Sequence, residues 1–160
     1  MHPDTPCCYP TVLGINKVIG ISNTPTLIAA FRNESSVPNI RAKLQHMEFL
    51  ATNASASTPV TIQLVSNPIV TGGTWSSVVG SELEINQTGT VSNGKVALTS
   101  YISAAHSQGN QPSSSPTDIE DAIDLGLSLF VGNIFAIVAT TDIAATTCDL
   151  AWSVNWLELD

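Results

Sequence analysis

Apolar residues in this chain recur every second position over short stretches. Leu150, Trp152, Val154 and Trp156 fall on one side of the closing segment, and Asp149, Ala151, Ser153 and Asn155 fall on the other. That alternation belongs to a strand with one buried face, and no helical period reproduces it. Val60, Ile62 and Leu64 alternate with Thr61 and Gln63, and Leu83 and Ile85 alternate with Glu82, Glu84 and Asn86. Val96, Leu98 and Ile102 continue the pattern around Ser100. Lys17–Ile21 and Thr26–Phe31 are short apolar runs divided by an Asn23-Thr24-Pro25 break. Lys43–Thr52 is long enough for an amphipathic helix, but it lacks a C-cap glycine and runs into the polar stretch Asn53–Pro59, so it reads as a strand. Ile134–Thr140 is almost continuously apolar, as a strand covered on both faces would be.

Between these runs lie turn signals. Asn67-Pro68 and Gly72-Gly73 bracket a short kinked segment ending at Trp75, and Ser107–Thr117 is a Ser-, Gln-, Pro- and Gly-rich loop longer than a hairpin requires. Thr117-Asp118-Ile119-Glu120 has the form of a capping box, which predicts one short helix over Asp118–Ile123, with a strand from Leu125. Met1–Thr11 has three prolines and no apolar period. It reads as an extended arm that contacts another chain, since each proline lacks a ladder donor, the alternative being an arm folded back along its own body. The expected organisation is thus an arm over residues 1–11 and one β-sandwich domain over residues 12–160. About ten strands at roughly 8–12-residue spacing, with long connections, predict an all-β, jelly-roll-like antiparallel sandwich with Greek-key crossings.

With 160 residues, 43% of them hydrophobic, the chain can build a substantial core. Only 11% are charged, and the uncharged polar residues that replace them suit β-rich extracellular or virion proteins. A heptad coiled coil is excluded, and no apolar stretch approaches the ~20 residues of a membrane-spanning helix. The formal net charge of −8 is unevenly placed. Five acids balance five bases before residue 118, and from Asp118 onward come only acids. Without clustered Lys or Arg, neither nucleic acid nor an anionic membrane is an expected partner.

Candidate chemistry is sparse. Cys7 and Cys8 are adjacent and Cys148 is distant, so either three reduced thiols or a bridge from the pair to Cys148 or to another chain is open. No secretory leader is visible, so synthesis in a reducing cytoplasm is expected, and the Asn33, Asn53 and Asn86 sequons read as chance triplets. His2, His46 and His106 lack convergent metal-ligand spacing, and Asp118, Glu120, Asp121 and Asp124 lack the alternation and glycine of a calcium loop. No catalytic, cofactor or metal site is expected. Trp152 and Trp156 belong to the apolar face. Trp75, beside a Gly-Gly turn, reads equally as core or as a contact residue.

The segment Asn67-Pro68-Ile69-Val70-Thr71-Gly72-Gly73-Thr74-Trp75 resembles an "NPxxTGGxW" segment of small bacteriophage virion proteins. Ile21–Ile28, Ile123–Leu129 and the closing Cys148–Glu158 are similar to theirs in the same order. The resemblance implies a jelly-roll virion protein, often trimeric, placed on the capsid as cement or decoration or on a fibre or tail; it brings no catalytic residues. The expected function is a non-enzymatic capsid cement or decoration protein on the virion surface, made in the host cytoplasm, a homo-oligomer (a trimer) bound to the major capsid protein. Pro6, Cys7, Cys8, Tyr9 and Trp75 are the candidate partner-binding residues. The second reading is a receptor-binding fibre or tail module using Trp75 and Tyr101 on sugars. A hydrolase on a β-scaffold has no positive feature.

Overall fold

In a computed structural model of the chain, residues 9–12, 16–36, 40–104, 117–119 and 128–159 are described, and all their regular structure is β. In chain order the strands are β1 (Tyr9–Val12), β2 (Asn16–Ile21), β3 (Thr26–Asn33), β4 (Arg41–Thr52), β5 (Thr58–Ser66), β6 (Ile69–Thr71) and β7 (Ser76–Ser77). They continue as β8 (Leu83–Asn86), β9 (Thr90–Ser92), β10 (Lys95–Ala104), β11 (Thr117–Ile119), β12 (Ser128–Phe130), β13 (Ile134–Thr141) and β14 (Cys148–Leu159).

Two sheets carry the fold. In the first, β14 pairs with β1 and β2 along one side and with β4 along the other, and β11 and β12 lie beyond β4. The second runs β10-β5-β13-β3-β8-β7, and β6 and β9 form a separate ribbon. All pairings are antiparallel. The principal strands β2, β3, β4, β5, β10, β12, β13 and β14 therefore interleave as β2-β14-β4-β12 and β3-β13-β5-β10. That is the double Greek key of a jelly roll. The segment between β5 and β10 carries β6–β9 as an insertion, and β8 and β7 extend the second sheet beyond β3.

The core follows from the alternation. Leu150, Trp152, Val154 and Trp156 are buried, and Asp149, Ala151, Ser153 and Asn155 on the other face are half-buried. Phe31 of the opposite sheet meets Trp152 and Trp156 edge to face at centroid distances of 6.3 and 5.6 Å, and Phe135 meets Trp156 at 6.3 Å. The indole Nε1 atoms of Trp152 and Trp156 have no hydrogen-bond acceptor among the described residues. The rings fill this seam edge to face, the arrangement their quadrupoles favour.

Two expectations need correction. Thr117–Ile119 pairs with Phe49, Glu48 and Met47 of β4, so the expected helix start at Asp118 and Ile119 is strand. Nucleating a helix of six residues is unfavourable, whereas the free edge of β4 supplies ladder hydrogen bonds at once. The remainder of that segment, residues 120–123, lies outside the described residues. The end of the arm also departs from the expected trans contact: Tyr9, Pro10 and Thr11 pair with Glu158, Leu157 and Trp156 of the same chain. Pro10 is accommodated there because β1 is an edge strand. Pro6, Cys7 and Cys8 lie outside the described residues, as does most of the Ser107–Thr117 loop.

Candidate functional site

The motif that ends at Trp75 builds a flap over the outer face of the second sheet. In β13 the inward residues Phe135, Ile137 and Ala139 enter the main core, and Ala136 and Val138 point outward. Those two are nevertheless buried, together with Leu27, Ala30 and Val65, because Val70, Trp75, Val91 and Ile134 pack over them. This second small core explains the unbroken apolar run Ile134–Thr140.

Each polar residue of the motif has a bracing role. Asn67, at φ 48°, exchanges hydrogen bonds with Ile134: its backbone N–H donates to the Ile134 carbonyl at 2.8 Å, and its Oδ1 accepts from the Ile134 N–H at 3.4 Å. Gly72 and Gly73 both have φ near +69°, the left-handed region open to glycine. A Cβ on Gly73 would overlap the Asn86 side chain and stand 2.5 Å from the Gly89 nitrogen. Asn86 is fully buried at the end of β8. Its Nδ2 donates to the Gly72 carbonyl at 3.1 Å, and its Oδ1 accepts from Thr88 N at 3.0 Å and Gly89 N at 2.9 Å. A single amide thus ties both limbs of the flap, using the Asn inventory of two donors and one acceptor oxygen.

Trp75 is half-buried, and the Arg32 guanidinium carbon sits 4.4 Å from its ring centroid. Glu84 holds that guanidinium through Nε at 2.6 Å and Nη2 at 2.5 Å, with Glu34 Oε1 3.3 Å from Nε. Arg32 is therefore clamped between carboxylate and indole, and it occupies a face of Trp75 that a ligand ring would need. Sequence reasoning named Trp75 but missed Arg32, Asn67 and Asn86. The signal available was the Asn67 before proline; Asn86 falls in phase with Glu82 and Glu84 and gives none.

Beside the flap opens a cleft of about 430 Å³ floored by Leu27, Val65 and Val138 and rimmed by Gln63, Thr90 and Asn93. Its lining is uncharged, so it offers hydrogen bonds and apolar contact, and no ionisable side chain lines it beside the Thr26, Thr90 and Ser92 hydroxyls. No three His, Cys, Asp or Glu side chains converge among the described residues. His46 lies on β4 opposite Asn155, and His2 and His106 lie outside the described residues. Cys148 is a buried free thiol whose pKa is raised, first by burial and then by neighbouring Asp149. The amide nitrogens of Asn33 and Asn86 are bonded to carbonyls inside the fold, Asn33 to those of Ile40 and Leu129 at 3.0 Å each. Neither can accept a glycan without unfolding. Compared with protein families and with curated proteins, the sequence matches no family and no individual protein.

Proposed function

We propose that the chain is a non-enzymatic structural protein of a bacteriophage virion, a cement or decoration protein that sits on the capsid surface as a homo-oligomer, a trimer, against the major capsid protein. The observation that carries this reading is the role of the segment on which the resemblance rests. Asn67–Trp75 folds as an architectural device: its glycines, its Asn67 and the Asn86 amide beyond it brace a flap that seals an outer sheet face. The polar residues are engaged in holding the body rigid, and large apolar side chains are exposed on principal strands: Val96 and Tyr101 of β10 and Phe130 of β12. A rigid sandwich with apolar side chains exposed on its outer strands suits a part that is fitted against neighbours.

The test is copy number in purified virions together with binding to empty capsids. Hundreds of copies and saturable, stoichiometric occupancy of empty capsids are expected. A handful or a few tens of copies, with binding to host cells or their polysaccharide, would replace this reading with the fibre or tail module, which exposed Tyr101 favours.

A further inference from the structure

The edges of the two sheets are unequal. Natural β-proteins guard edge strands with brevity, proline, charge or bulges, because a long, plain edge recruits another strand. In the first sheet one edge is made by β1, which contains Pro10, and β2, which contains Lys17 and a left-handed Gly20. The opposite edge is made by β11 and β12, three residues each, with Asp118 on β11. In the second sheet, β7 at one edge is two residues long. The other edge is β10, ten residues with no proline, whose sole charge is Lys95 at its start. Its bulge lies between Val96 and Leu98, so Leu98–Ala104 is a regular run paired with β5 and, among the described residues, with nothing on its other side. Tyr101 on this run is 67% exposed and Val96 near its start 47%.

We infer that β10 joins two copies of this chain edge to edge, antiparallel, about a two-fold axis at Tyr101. The sequence of the strand is self-complementary in that register. With Tyr101 opposite Tyr101, Thr99 faces Ser103 on the exposed side of the sheet, and Ser100 faces Ile102 on the inner side. Aromatic–aromatic and Thr–Ser pairs are among those that stabilise cross-strand contact. The antiparallel arrangement places the two Lys95 residues at opposite ends of the joint, whereas a parallel one would set them side by side. In a chain of net charge −8, this neutral run is also where a second copy meets little like-charge repulsion. The contact is isologous and closes on itself, so it adds a two-fold to any three-fold assembly without replacing it. The inference does not depend on the virion reading.

The experiment measures mass by light scattering across a micromolar concentration series, alongside amide hydrogen exchange of β10. Mass should double with concentration, and the alternate β10 amides that do not bond β5 should gain protection in step with it. Tyr101→Lys and Tyr101→Glu should each weaken association at least tenfold by placing like charges opposite one another, and mixing the two variants should restore it. Tyr101→Phe should associate like the wild type. Because recovery on mixing requires both variants to be folded, a folding failure cannot mimic the expected result. The inference is overturned by a mass that never doubles, by charge variants that associate undiminished, or by a mixture that fails to recover. Protection of every β10 amide at the lowest concentration would also overturn it, since the edge would then be covered by its own chain.

Discussion

Replacing Trp152 by alanine should be among the most damaging single changes to this fold. The side chain is 1% exposed and packs edge to face on Phe31 with an interplanar angle of 79°. Truncating a buried Trp to Ala costs about 3–5 kcal/mol through lost burial and the cavity left behind. The ring pair with Phe31 accounts for about 0.5–1.5 kcal/mol of contact beyond area alone. For a domain of this size each kcal/mol lowers the midpoint by roughly 2–4 °C, so a fall of roughly 6–20 °C is expected. Trp152→Phe should behave differently. It keeps a ring against Phe31 and removes an indole N–H that has no acceptor among the described residues, a group whose burial unpaired costs about 1–3 kcal/mol. Its net cost should stay below about 1.5 kcal/mol. Thermal and urea unfolding followed by far-ultraviolet circular dichroism, which does not depend on the lost fluorophore, measure the midpoint and the free energy for both variants. An unchanged midpoint for Trp152→Ala would refute the buried-face assignment, and equal losses for the two variants would show that the N–H is bonded after all.

Three further outcomes follow from the flap and the buried thiol. Gly72 and Gly73 share a left-handed φ, which costs a non-glycine residue about 1–3 kcal/mol, but only at Gly73 does an added Cβ meet Asn86 and Gly89. Gly73→Ala should therefore lower stability clearly more than Gly72→Ala in the same urea assay, and equal effects would discount the Asn86 brace. Arg32→Met should raise acrylamide quenching of tryptophan fluorescence by uncovering Trp75, with a stability loss of only about 0.5–1 kcal/mol because the clamp is partly exposed. Burial, then Asp149, raises the Cys148 pKa, so the unfolded chain releases this proton at lower pH than the folded one. The stability this contributes is complete below the unfolded thiol pKa and is lost as pH rises toward the folded value. As pH rises above about 8.5, wild type should lose more stability than Cys148→Ala, and parallel pH curves would contradict it.

The long strands are legible because burial leaves a period. Leu150–Trp156 alternates, Val60–Leu64 alternates, and both appear as strands with the expected faces inward. Ile134–Thr140 shows its double burial as a lost alternation, although nothing in that run says what covers the second face. The cover comes from β6 and β9, three residues each, joined across the Gly72–Gly89 stretch. Strands that short carry too few positions for a period, and their stability is tertiary. Asn86 sits on what a simple polar–apolar alternation reads as a solvent face, yet it is buried because its amide satisfies the flap backbone. Trp75 was visible as an aromatic beside a glycine turn, but its partner Arg32 is on β3, far earlier in the chain. Thr117–Ile119 shows the converse case, a sound local helix signal outweighed by a vacant strand edge.

β14 lies between β2 and β4 in its sheet, although well over a hundred residues of sequence separate it from β2 and nearly a hundred from β4. Until that strand inserts, β4 has an open side, and Phe31 and Phe135 have no indoles to pack against. Pairings of such sequence separation require a large loop-closure entropy before any contact repays it, so folding should be slow, on the millisecond-to-second scale of non-local β-topologies. Both core tryptophans ride on this one strand. With Trp75 replaced by Phe, the burial of tryptophan fluorescence during refolding is therefore a clock for a single event, the docking of β14.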